Sequence, residues 1–144
     1  RIVGDQSDAE DVLQVAFVQV FTKIKDYRFE STLGAWIKRI VVNNCINNLR
    51  KNSLHFESIG DNDIAVVDDE PVSFNVQTIK LAINQLPEGY RTIFCLYILE
   101  GYDHSEIAQI LGITESTSKS QYSRAKAKLC QILRENGSIN LIYQ

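Results

Sequence analysis

The 144-residue chain carries 44% apolar and 23% charged side chains, close to the averages of soluble globular proteins, which excludes wholesale disorder. No run approaches the roughly 18 uninterrupted apolar residues a bilayer span needs, and the amino terminus lacks a basic-then-apolar signal pattern; the expectation is no membrane insertion and a cytoplasmic location. A net charge of −3 argues superficially against nucleic acid, yet six acidic and no basic side chains fall within residues 52–73, and five basic against two acidic within 114–136.

On both sides of that acidic segment apolar residues recur at helical spacing, and no segment shows the two-residue alternation of a strand. The expected fold is all-α. Two small helical domains, 1–52 and 74–136, are joined by a flexible acidic linker, 53–73, and followed by a tail, 137–144. The linker reading rests on NSLHFESIGDNDIAVVDDEPVS, where Gly, Pro and Asp mix without an apolar period.

The first helix is expected from about Asp8, with Ser7 or Asp8 as cap and Glu10 and Asp11 at the positive end of the dipole. Leu13, Phe17, Val20 and Ile24 form one stripe, the expected core face. Val12, Val15 and Val18 lie roughly opposite. A helix apolar on two faces meets, with its second face, either a further helix of this chain or a different protein.

A connection, DYRFEST, precedes a helix expected over Leu33–Lys51. Arg39, Asn43, Asn47 and Arg50 share one strip of it, with Trp36 at the upstream edge. That strip combines guanidinium forks for phosphates with amides for base edges, and Tyr27 and Phe29 offer rings for unpaired bases. A solvated face beside a core tryptophan is the alternative.

Past the linker, Val76, Ile79, Ile83 and Leu86 mark a helix that Pro87 ends, Pro87 suiting the first turn of the next helix, which runs to a stop near Gly101. Asp103 and Glu106 resemble a capping box; Ile107, Ile110 and Leu111 supply an apolar face; Ala108 permits close approach; Gly112 suits the left-handed stop; and Thr114 can cap a second helix. This is the spacing of a helix-turn-helix. Tyr122, Ala125, Leu129 and Ile132 form the inward stripe, leaving Ser116, Thr117, Ser120 and Arg124 outward with Gln121 at the edge. Short hydroxyls and an amide can read base edges, while Lys119, Lys126 and Lys128 suit phosphates. A plain amphipathic hairpin is the alternative.

Cys45, Cys95 and Cys130 are odd in number, widely separated and within helices, so they read as free thiols rather than a disulfide framework or metal site. His55 and His104 have no partner at ligand or triad spacing. No catalytic centre and no cofactor are expected.

Three motifs in order resemble the extracytoplasmic-function group of bacterial sigma factors: DAEDVLQVAFVQVF (Asp8–Phe21), DYRFESTLGAWIKRIVVNN (Asp26–Asn44) and LPEGYRTIFCLYILEGYDHSEIAQILGITESTSKSQYSRAKAKL from Leu86. The resemblance implies a non-enzymatic initiation factor that carries core RNA polymerase to promoter DNA, usually held by an anti-sigma factor. It places Asp11, Gln14, Phe17 and Phe21 against polymerase, accounting for the second apolar face with Val12, Val15 and Val18. It assigns Phe29, Glu30, Ser31 and Thr32 to capture of a flipped base, Arg39 and Asn43 to the same downstream element, and Ser116, Thr117, Lys119, Ser120 and Arg124 to the upstream element. It also implies a helix before Arg1, of which RIVGD is the tail. Val15 departs from the family's usual Glu, Ser118 from an apolar residue and Gln121 from Arg. The rival readings are a helix-turn-helix regulator binding an operator without polymerase, and an interaction module whose helix-turn-helix has lost DNA.

Overall fold

In a computed structural model, which describes residues 1–52 and 75–136, the chain divides into two compact units, one ending at His55 and the other beginning at Phe56. The expected linker 53–73 and tail 137–144 lie outside the described residues. All regular structure among the described residues is helical, as the apolar spacing requires.

In the first unit, α1 (Gln6–Lys23) packs against α2 (Leu33–Lys51), with a short 3-10 turn, Ile24–Asp26, between them. Asp5 caps α1 through a 3.0 Å bond from the Asp8 amide, two to three residues ahead of the expected cap. Thr32 caps α2, its hydroxyl accepting from Ala35 N at 3.2 Å. The buried side chains of α1 are Val12, Ala16 and Val20; those of α2 are Val42, Ile46 and Leu49.

The core face of α1 therefore differs from the expected stripe. Leu13, Phe17 and Ile24 are exposed, and only Val20 of the four is buried. The buried face is turned by about 70° from the expected one, Val20 being common to both, and small Ala16 on the seam permits a close approach of α2 that Phe17 would hold off. Val12 is accordingly a core side chain rather than part of an outward face. Across the seam Asn44 Nδ2 donates to Gln19 Oε1 at 3.0 Å and to the Ile40 carbonyl at 2.8 Å, satisfying an amide that burial would otherwise leave costly.

In the second unit α3 (Val76–Asn84), α4 (Glu88–Phe94) and α5 (His104–Leu111) surround α6 (Glu115–Glu135). Ile83 and Leu86 are buried as their spacing suggests, whereas Val76, at the first turn of α3, is exposed. Pro87 is the N-cap of α4 rather than its first residue. Thr92 through Leu96 are buried in succession, so the chain is enclosed where α4 ends, its first turn being half-buried, and it then loosens into a π-helical turn, Cys95–Leu99, closed by Glu100 N donating to Cys95 O at 3.0 Å. Gly101, at φ +76°, ends it, with Tyr102 N returning to Leu96 O at 3.0 Å.

Both bonds of the capping box are present: Glu106 N to Asp103 Oδ1 at 2.8 Å and Asp103 N to Glu106 Oε2 at 2.9 Å. Gly112 takes φ +68°, which a Cβ would strain, and Thr114 caps α6 at 3.0 Å from Thr117 N. None of the three cysteines is in a disulfide; Cys95 is fully buried and Cys45 and Cys130 are half-buried.

Candidate nucleic-acid interface

Three surfaces carry the residues singled out above. The first is the outward side of α1, where Leu13, Val15, Phe17, Val18, Phe21 and Ile24 are all exposed, Phe21 at 76%. Asp11 and Gln14 are exposed beside them. An apolar surface this continuous on a small unit suits a contact with a further helix or with a different protein. Next to it runs an open groove of about 470 Å³ between the two helices, lined by Asp11, Val12, Val15 and Gln19 of α1 and by Asn44, Asn47, Asn48 and Lys51 of α2. Val12 contributes to its floor while 6% exposed; Asn48 Oδ1, buried there, has no hydrogen-bond partner.

The second surface is the loop before α2. Tyr27 stands between two rings, its centroid 4.5 Å from Phe29 and 5.4 Å from Trp36. Its hydroxyl donates to the Ser31 carbonyl, tying the loop across its base. Phe29 is 82% exposed at φ +59°, alone among the described non-glycine residues in the left-handed region. The backbone thus holds an aromatic ring out in water at a conformational cost, an arrangement that suits stacking on an unpaired base. Glu30 and Ser31 are exposed, and Thr32 is committed to its cap. Downstream, Arg39, Asn43, Asn47 and Arg50 are all exposed along α2.

The third surface is the amino-terminal half of α6. Ser116, Lys119 and Ser120 are exposed, and Thr117 is half-buried with its hydroxyl 2.8 Å from that of Thr114. Lys119 Nζ pairs with Glu115 at 2.6 Å. Arg124 is half-buried, Lys126 holds its ammonium 5.5 Å from the Tyr122 ring, and Lys128 bonds Gln131 at 3.0 Å. Gln121 is a correction: it is 4% exposed and faces inward, not along the edge of the reading face. Position 121 follows Ser118 by three and precedes Ala125 by four, so it belongs to the inward stripe Ser118, Gln121, Ala125, Leu129, Ile132, all buried.

Sequence spacing missed the partner of His104. Its Nδ1 lies 2.9 Å from Ser118 Oγ, and its ring stacks on Tyr97 with centroids 4.5 Å apart. Fourteen residues separate His104 from Ser118, a distance that only the helix-turn-helix geometry closes.

An all-helical pair of units, one with an exposed apolar helix beside an aromatic loop and the other built on a helix-turn-helix, defines a class of binding protein. Residues 1–54 match the model of sigma-70 region 2 and residues 77–129 that of sigma-70, region 4. The chain belongs to the sigma-70 family, in its extracytoplasmic-function group. It is 32% identical to the RNA polymerase sigma factor SigZ of Bacillus subtilis, over 91% of this chain and 76% of that one. It is 29% identical to the ECF RNA polymerase sigma factor SigM of Mycobacterium tuberculosis, over 88% of this chain but only 64% of SigM's length. Among solved structures it resembles the sigma factor RpoE of Bartonella quintana, in complex with the anti-sigma factor NepR, with a TM-score of 0.62 at 25% identity, covering 92% of this chain and 85% of that one.

Proposed function

We propose that this chain is a sigma factor that binds core RNA polymerase, directs it to specific promoters and assists DNA melting, catalysing no reaction of its own and working in the cytoplasm. Residues 1–52 serve polymerase binding and melting, 53–73 tether the two parts, and 74–136 read the upstream element. The observation that carries the reading is the exposed apolar side of α1, Leu13 to Ile24, on the same chain as a helix-turn-helix: an operator-binding regulator would use such a face to pair with a second copy, whereas its place within residues 1–54, which match sigma-70 region 2, supports polymerase as its partner.

On this reading Phe17, Phe21, Val15 and Val18 bury against polymerase with Asp11 and Gln14 at the rim. Tyr27, Phe29 and Trp36 support a separated strand by stacking, worth about 1–3 kcal/mol per base, while Glu30 and Ser31 line the place of a flipped base. Arg39, Asn43, Asn47 and Arg50 track the same strand. Ser116, Thr117, Ser120 and Arg124 face base edges, with Lys119, Lys126 and Lys128 toward phosphates. An anti-sigma factor is the natural occupant of the apolar face when polymerase is absent, in keeping with the complex seen for the Bartonella relative.

Co-purification with core polymerase, followed by mapping of the promoters occupied in cells, tests the proposal. Association with polymerase and a shared two-part promoter are expected. Tight binding to a palindromic duplex without polymerase would instead indicate the operator-binding regulator.

A further inference from the structure

We infer that His104 and Ser118 are positioning residues for sequence reading by α6, acting through their mutual hydrogen bond, with Ser118 fully buried and His104 half-buried. The inference rests on the proposal that α6 contacts the upstream element.

Three observations fix the His104 ring. It stacks on Tyr97 at 4.5 Å and 16°, it leans on Tyr122 at 5.6 Å, and its Nδ1 lies 2.9 Å from Ser118 Oγ. Tyr97 belongs to the π-helical turn Cys95–Leu99, whose extra residue per turn shifts the side chains beyond it relative to a continuous α-helix. The ring is also anchored at its root, because His104 is the first residue of α5, directly behind the Asp103–Glu106 capping box. Ser118 receives this fixed nitrogen on a side chain with 0% exposure.

Its position on α6 gives the bond leverage. Ser118 is the first buried side chain of α6, and Ser116, Thr117 and Ser120, the residues assigned to base edges, bracket it. From Ser118 to the fully buried Ala125 is seven residues, about 10 Å along the axis, so a tilt of about 6° about Ala125 displaces the reading turn by about 1 Å. Base-edge hydrogen bonds do not survive such a displacement. An apolar side chain at 118 would fill the space without a preferred direction; the hydroxyl-to-nitrogen bond sets both distance and roll.

The test compares His104→Phe, which keeps a stacking ring and removes the nitrogen, Ser118→Ala and the double variant, all in the full chain with core polymerase. The readout is the ratio of transcription from a promoter with its matched upstream element to one with a single base pair of that element changed, alongside thermal stability and polymerase affinity. Each single substitution is expected to lower the ratio about threefold to tenfold, the size of one hydrogen bond, with polymerase affinity unchanged. The double variant is expected to lose no more than either single one, since both remove the same bond. Lowered stability with an unchanged ratio overturns the inference, as do losses that multiply in the double variant. A parent protein whose ratio is one overturns the upstream-reading assignment, and the inference with it. If a single variant fails to fold, Ser118→Cys, near in volume and a weaker partner, replaces it with the same expected direction.

Discussion

Lys119 Nζ lies 2.6 Å from the Glu115 carboxylate one turn earlier on α6, so the most amino-terminal cation of the proposed reading helix is already paired before DNA arrives. Both side chains are more than half exposed, which makes the pair worth little to folding. On the proposed docking of α6 its effect falls on binding instead, since Glu115 then also brings a negative charge toward the phosphate backbone. Glu115→Gln is expected to tighten binding of the polymerase-bound protein to promoter DNA about threefold to tenfold at low salt, with the gain shrinking as salt rises. Fluorescence anisotropy at two salt concentrations checks this; an unchanged or weaker affinity would count against a phosphate role for Lys119.

Phe29 occupies left-handed backbone, which costs a non-glycine residue about 1–2 kcal/mol. The residue is 82% exposed, so truncation forfeits chiefly its ring contact with Tyr27. Phe29→Gly should therefore leave thermal stability equal or raised while reducing strand opening at a promoter about tenfold, read by permanganate reactivity of unpaired thymines. A variant that melts promoters normally would remove Phe29 from the proposed mechanism.

The two sides of α1 should respond oppositely to substitution. Phe21→Ser, at a side chain 76% exposed, is expected to change stability by less than about 0.5 kcal/mol yet weaken core polymerase binding at least about tenfold. Ala16→Leu, at a side chain with no exposure on the α1–α2 seam, should cost about 1–3 kcal/mol by overpacking. Chemical denaturation and a polymerase pull-down separate the two effects.

Burial pushes the Cys95 thiol above its ordinary value of 9.0, desolvation being the chief cause. The folded state thus holds the proton more tightly than the unfolded chain, so this thiol favours folding fully below about pH 9 and loses that contribution as pH rises from the unfolded value through the folded one. Cys95→Ala should flatten the alkaline part of the stability profile, and the native thiol should react slowly with maleimides compared with the unfolded chain.

Much of this was legible in the residues because it is local. The capping box at Asp103 and Glu106, the left-handed Gly112 and the helix over Leu33–Lys51 follow from short-range bonding rules that packing did not override. The phase of α1 was not, because both candidate stripes are apolar and the deciding feature was the smallness of Ala16 rather than the bulk of Phe17. Gln121 escaped for a related reason: an inward stripe drawn from apolar residues passes over a polar side chain that the 3.6-residue period turns inward. The His104–Ser118 bond depends on the angle between two helices, which spacing along the chain does not carry.

The central claim is most directly tested by transcription with purified core polymerase on templates carrying promoters mapped for this protein. Adding the full-length protein should yield a product that starts at the mapped site and disappears when either promoter element is scrambled. Core polymerase giving the same products with and without the protein would contradict the account.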